Sequence, residues 1–378
     1  MTGLLLLLGA APWQPPADVP RCGHGLEASA WLRERTLRPP APPPSSSRGL
    51  PSGFSVERRG DLVVMRDMVG DAFGRDGLGY EGMYEALVYF YELFPDEFDF
   101  VTVITNQDST YGMGAFAFYS PLANDVRGIG DRIYDSGMTA QGLLFMNAWQ
   151  YWSGQSDTFT SAVFGQELGH RWGSYVRYDL GDGERDDILG RDDGHWSYWL
   201  ETSNSPMEGN AWTDNGDGTF TLDAGEEVAY SDLDLYLMGL VGPEDVAPFY
   251  LIADPSGLAR NASSSPEYYA SGDDQTASGS RVDITIDDVI RAEGARDPAA
   301  GEAQTAFRMA VVLVLADDEQ PDEEALSGAD EARARFVEVW EEDTLGLATL
   351  DTSLGDTVVE PLAPEGFVAP LLVPKAAW

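Results

Sequence analysis

The sequence predicts an α+β protein built on a mixed β-sheet. Three observations point there: β-branched apolar runs of strand length, a long helical segment set between two of them, and polar or glycine-rich connections. DLVVMRD (Asp61 to Asp67) and FDFVTVITN (Phe98 to Asn106) are the first two strand-like runs. Between them EGMYEALVYFYELF (Glu81 to Phe94) has no Gly or Pro after its start and should be a helix that ends before Pro95.

AFAFYS (Ala115 to Ser120) and GLLFMN (Gly142 to Asn147) follow as strands, and a helix is expected over 157–175. The polar, glycine-rich residues 179–194 read as loop, and DNGDGTFTL (Asp214 to Leu222) as a tight turn feeding a strand. SDLDLYLMGL (Ser231 to Leu240) opens on an N-capping serine and closes at a glycine, the pattern of a short buried helix. VDITIDDVI (Val282 to Ile290) reads as a strand running into a helix, and FRMAVVLVLA (Phe307 to Ala316) as an apolar strand. The segment from Glu323 to Asp343 is helical, with a break or bend expected at Ser327 and Gly328. No internal repeat is visible.

A chain of 378 residues, 43% of them hydrophobic, can bury a large core as one large domain or two modest ones. The division expected is a signal peptide over 1–20, a Pro/Ser-rich tether over 21–53, a subdomain with the mixed sheet and a central helix over 54–176, and a mixed α/β subdomain over 177–378. The N-terminal MTGLLLLLGAAP has an apolar run of secretory length followed by small residues, but no positive residues ahead of it. It implies a secreted or extracytoplasmic protein and is too short to span a bilayer. Cys22 is the only cysteine, which excludes an intrachain disulfide and a CxxC metal site.

The formal charge of −41 repels nucleic acid and anionic membranes, so neither is expected as a partner. The acids are dispersed along the chain, which suits solubility more than a discrete calcium site. In DNGDGT, placing Gly218 at the sixth position of a calcium loop would put Thr213 first and Ala224 twelfth, so a β-turn is the better reading.

Chemistry concentrates on three histidines, His24, His170 and His195, of which His24 falls in the tether. In GQELGHRWG (Gly165 to Gly173), residues 166 and 170 lie one helical turn apart on the same face, and Glu167 projects beside them. Gly165, Gly169 and Gly173 recur every four residues. Each helical glycine costs about 1 kcal/mol against alanine, so something should pack closely on that stripe. Taken alone, Glu-x-x-His on a helix is common, His195 can be a structural histidine, and Met238 reads as a core residue.

The stretch QELGHRWGSYV resembles the active-site helix of zincin metallopeptidases, whose extended pattern H-E-x-x-H-x-x-G-x-x-H it matches at Glu167, His170 and Gly173. It departs from that pattern at Gln166 and Val176. LYLMGL resembles the metzincin Met-turn through Met238, and the segments around HRW, GHWS and SPMEGN resemble a group of secreted bacterial zincin-like proteins. The match covers about residues 160–240.

The resemblance implies a zincin-like fold, a Zn²⁺ cofactor and hydrolysis of a protein or peptide substrate. In it His170 is a zinc ligand and Glu167 the base that takes a proton from water. Gln166 is a weak donor for zinc and suits a hydrogen-bonding role around the site. A further ligand must come from His195 or from a carboxylate, with Asp192, Asp193, Glu201 and Glu208 as alternatives. Tyr175 or Tyr236 could stabilise an oxyanion. Trp152, Trp172, Trp196, Trp199 and Trp212 suit either a substrate cleft or a core. The second reading is a catalytically silent scaffold that binds protein or glycan outside the cell.

Overall fold

The computed structural model describes residues 54–67, 80–109, 115–135, 137–223, 227–269, 275–315 and 319–355. The expected signal peptide and tether, with Cys22 and His24, lie outside them. The described chain is α+β with two larger sheets and one small hairpin.

The first sheet has the order β1 (Phe54–Arg59), β2 (Leu62–Asp67), β14 (Ala306–Leu315), β3 (Phe100–Thr105), β5 (Gly142–Ala148), β4 (Phe118–Pro121). β2, β14, β3 and β5 run parallel, while β1 and β4 pair antiparallel at the two edges. β15 (Thr349–Asp351) pairs with the first residues of β14, on the side where β2 takes the last ones. The sheet is buried on both faces, which is why its strands read as continuous apolar runs. Val101, Val103, Phe145 and Val312 share one core cluster with Phe90 of α1 (Tyr80–Leu93). The alternate residues Phe100, Ile104, Leu144 and Val311 face the other cluster, with Phe164 and Phe336.

That second face receives helix α2, continuous through Asp157–Thr160, a π-helical turn at Ser161–Gly165, and Gln166–Gly169. Ser156 caps it by accepting from the Phe159 amide at 3.2 Å. The helix ends at Gly169 rather than near 175, because the chain turns at His170 toward the segment that carries the second histidine.

The second sheet has the order β10 (Trp212–Asp214), β11 (Thr219–Leu222), β13 (Gln275–Ile284), β12 (Phe249–Ser256), β8 (Trp196–Glu201), β9 (Glu208–Asn210). Helices α3 (Asp232–Met238), α4 (Ile286–Glu293) and α5 (Glu323–Asp343) complete the fold. The expected loop over 179–194 contains a small hairpin, β6 (Tyr178–Asp179) with β7 (Glu184–Arg185). DNGDGT is the turn between β10 and β11.

β14, from the C-terminal third, lies between β2 and β3, so the first sheet draws strands from both sides of residue 176. One expectation needs correction: α5 has no break at Ser327 and Gly328, and a Cβ on Gly328 would lie 2.0 Å from the Trp149 ring, so that glycine serves close packing. Among the described residues no helix is long and apolar enough to cross a membrane.

Candidate functional site

The site forms where the end of α2 meets two segments on either side of β8. On α2, Glu167 and His170 are 0% and 2% exposed, and Gln166 is buried beside them. The segment before β8 supplies Arg191 and His195, and the start of β9 supplies Glu208. His195 and Glu208 are 0% and 1% exposed.

The glycine stripe explains part of this approach. A Cβ on Gly165 would lie 2.5 Å from Asp343 Oδ2, and one on Gly169 would lie 2.3 Å from Met207 Sδ. Gly173 carries no such constraint, its nearest neighbour being Leu237 at 3.9 Å. The bare surface at Gly169 lets Met207 rest on the helix, which brings the adjacent Glu208 over Gln166. The Gln166 amide donates to Pro206 O at 3.1 Å and to Glu208 Oε1 at 3.4 Å.

The two imidazoles stand edge to face, with ring centroids 4.8 Å apart. His170 Nδ1 lies 3.3 Å from Gly173 O and His195 Nδ1 lies 2.8 Å from Arg191 O. A carbonyl only accepts, so each Nδ1 carries the proton and each Nε2 is left as the lone-pair nitrogen. The Arg191 Nη2 group lies 3.3 Å from His195 Nε2 and also forms an ion pair with Glu208 Oε1.

Burial drives both carboxylates toward their protonated forms. Glu167 is pushed up to about 8 by desolvation, with the Arg191 charge and the Tyr119 backbone opposing the shift and Glu208 adding to it. Glu208 is raised by burial and held back mainly by Arg191. Among the described residues, neither Glu167 oxygen nor Glu208 Oε2 meets a partner at full hydrogen-bond geometry, and the Tyr119 backbone N–H lies near enough to favour the ionised form of Glu167. One guanidinium thus faces two buried acids, an arrangement short of positive charge when both are ionised.

The donor chemistry of this cluster suits a divalent transition metal: two Nε2 lone pairs oriented by Nδ1–H bonds to carbonyls, with a carboxylate between them and Gln166. Its present spacing is another matter. Among the described residues, no group of three or more His, Cys, Asp or Glu side chains stands at metal-holding distances, and the Arg191 guanidinium lies between His195 and Glu208.

The other sequence candidates distribute as follows. Asp192 and Asp193 sit on a turn with φ of 58° and 53°, and Glu201 accepts from the Ser203 amide and hydroxyl. Met238 is a buried residue at the last position of α3 rather than in a turn, and α3 approaches the glycine stripe through Leu237. Tyr236 Oη accepts from the Arg296 amide, and Tyr175 Oη donates to the His170 carbonyl at 2.8 Å. The five tryptophans are core residues, each under 5% exposed; Trp199 and Trp212 stack at 5.5 Å.

Arg191 was not among the sequence candidates, and nothing in GRDDGHW sets it apart from a loop charge. Asp234 was also missed: it accepts from Trp196 Nε1 at 2.7 Å and Ser205 Oγ at 2.6 Å, tying α3 to both segments that carry the site. No protein-family model, curated protein or solved structure matches this chain.

Proposed function

We propose that this chain is a zincin-like metallopeptidase relative, in which His170, His195 and Glu208 hold Zn²⁺ and Glu167 is the general base for hydrolysis of a peptide bond. The observation that carries the reading is Glu167 itself: a fully buried carboxylate with no side-chain hydrogen-bond partner among the described residues, beside two imidazoles whose Nε2 lone pairs are directed away from their carbonyl contacts. A carboxylate kept this way is costly for stability alone and well suited to taking a proton.

Zinc, when bound, supplies Lewis acidity toward a carbonyl and toward water. The chain's own residues do the rest. Gly173 O and Arg191 O hold the imidazole tautomers, Gln166 orients Glu208, and Glu167, raised to about 8 by burial, would act as the base in its ionised form, which the nearby positive charge favours.

The depth of the site favours a second reading, a silent scaffold of the same kind that binds protein or glycan. All four side chains are at most 2% exposed, and the wider cavity beside Arg171 and Trp172 is lined by none of them. Casein cleavage by the zinc-supplemented protein separates the two readings. Activity that falls by about 100-fold or more in Glu167→Gln, within the usual range for a lost general base, supports the peptidase. Equal cleavage by parent and variant removes Glu167 from the mechanism, and no cleavage by the parent leaves the binding scaffold.

A further inference from the structure

Arg191 stands where a cation is needed, and it does so in an unusual way. It touches both nitrogens of the same imidazole: its carbonyl accepts from His195 Nδ1 at 2.8 Å, and its guanidinium Nη2 lies 3.3 Å from His195 Nε2. The same Nη2 pairs with Glu208. Its side chain is 20% exposed, against 1% for Glu208.

We propose that Arg191 is the resident counter-cation of this site and competes with the divalent metal for it, so that metal binding requires the guanidinium to withdraw while the Arg191 carbonyl stays. The proposal rests on the metal-site reading above and adds a regulation to it. The division of labour within one residue makes the exchange feasible. The backbone contact that fixes the His195 tautomer does not depend on the side chain, so the ligand stays oriented when the guanidinium leaves. The exchange also improves the charge balance, because a divalent ion replaces a single positive charge opposite two buried acids.

The loop is shaped for this double contact. Asp192 and Asp193 are both left-handed, with φ of 58° and 53°, and the turn they make returns the chain so that residues 191 and 195 face each other. A Cβ on Gly190 would lie 2.6 Å from Trp196 O, which anchors the loop's base against β8. The loop is therefore held at its ends while the Arg191 side chain spans from it to β9.

The test is a zinc titration of metal-free full-length protein against a chromophoric chelator, using the parent, Arg191→Gln, Arg191→Lys and His170→Ala. The expected result is at least about tenfold tighter zinc binding in Arg191→Gln, with Arg191→Lys between it and the parent, since an ammonium cannot fork between two acceptors. The melting temperature of metal-free Arg191→Gln should fall below the parent's and recover with zinc. Should that variant fail to fold without metal, refolding in zinc and the Arg191→Lys titration give the comparison. Equal affinity in parent and both variants, lost in His170→Ala, would overturn the competition and leave the metal site standing. No zinc bound by any of the proteins would overturn the metal site and the competition with it.

Discussion

Two buried carboxylate clusters adjoin helix α2, and they differ in what surrounds the acid. At its π-helical turn, Asp343 from α5 meets the helix: Oδ1 accepts from Ser161 Oγ at 2.6 Å, while Oδ2 has no partner among the described residues. Burial pushes Asp343 up to about 8, and its hydrogen bond to Ser161 only partly opposes the shift. Six residues after Ser161, Glu167 is pushed up to the same value by the same cause. The first acid has the Ser161 hydroxyl, with Glu342 and Tyr230 nearby and, among the described residues, no imidazole or guanidinium. The second has two oriented imidazoles, another carboxylate and a guanidinium. Equal burial and equal shifts thus accompany different chemistry, and the neighbouring donor set, rather than the titration, marks the candidate site.

The largest expected difference between the clusters is in metal binding. Glu208→Ala should weaken zinc binding by about 100-fold or more, while Asp343→Asn should leave it within about threefold, measured by competition with a chelator. Zinc binding unaffected by Glu208→Ala would assign the third ligand elsewhere.

Stability against pH should not separate the two clusters, because Glu167 and Asp343 are raised to the same value by the same cause. A carboxyl whose folded value is raised binds more protons in the native state than in the unfolded one. Its contribution is therefore greatest below the ordinary Asp range and is lost as pH rises through about 8. Between pH 6 and 8 the Asp343 contribution should fall by about 2 kcal/mol, and Asp343→Asn should remove that slope from denaturant unfolding curves. An unchanged slope would mean that Asp343 does not keep its proton in the folded chain.

Smaller effects test the packing that joins the clusters. Gly169→Ala places a methyl against Met207 and should cost about 1 to 3 kcal/mol, with a loss of zinc affinity because Glu208 follows Met207. Gly328→Ala drives α5 away from Trp149 and should cost a similar amount while leaving zinc affinity unchanged. Gln166→His should shift zinc affinity by about tenfold or less, because Gln166 acts through its bond to Glu208.

Much of the local structure was legible in the sequence. Ser231 and Gly239 bound α3 as their types demand, with a capping box at one end and a left-handed glycine at the other. The glycine stripe announced close contact, and Gly165 and Gly169 have it. What escaped depends on tertiary placement. Nothing in the order of strands says that β14 enters the first sheet between β2 and β3. Gly328 looked like a helix breaker because propensity is local, while the Trp149 ring that requires it comes from another segment. Glu208 was one of four candidate acids until β9 placed it over Gln166, and Arg191 was one charge among many until its loop folded it between His195 and Glu208.

The central claim is that the second cluster, and not the first, is built for a metal. The most direct measurement is the zinc content of purified protein after saturation and dialysis, by mass spectrometry of the metal. The account predicts one zinc per chain in the parent and in Asp343→Asn, and none in His170→Ala. A parent chain without zinc, or zinc that survives in His170→Ala, would contradict it.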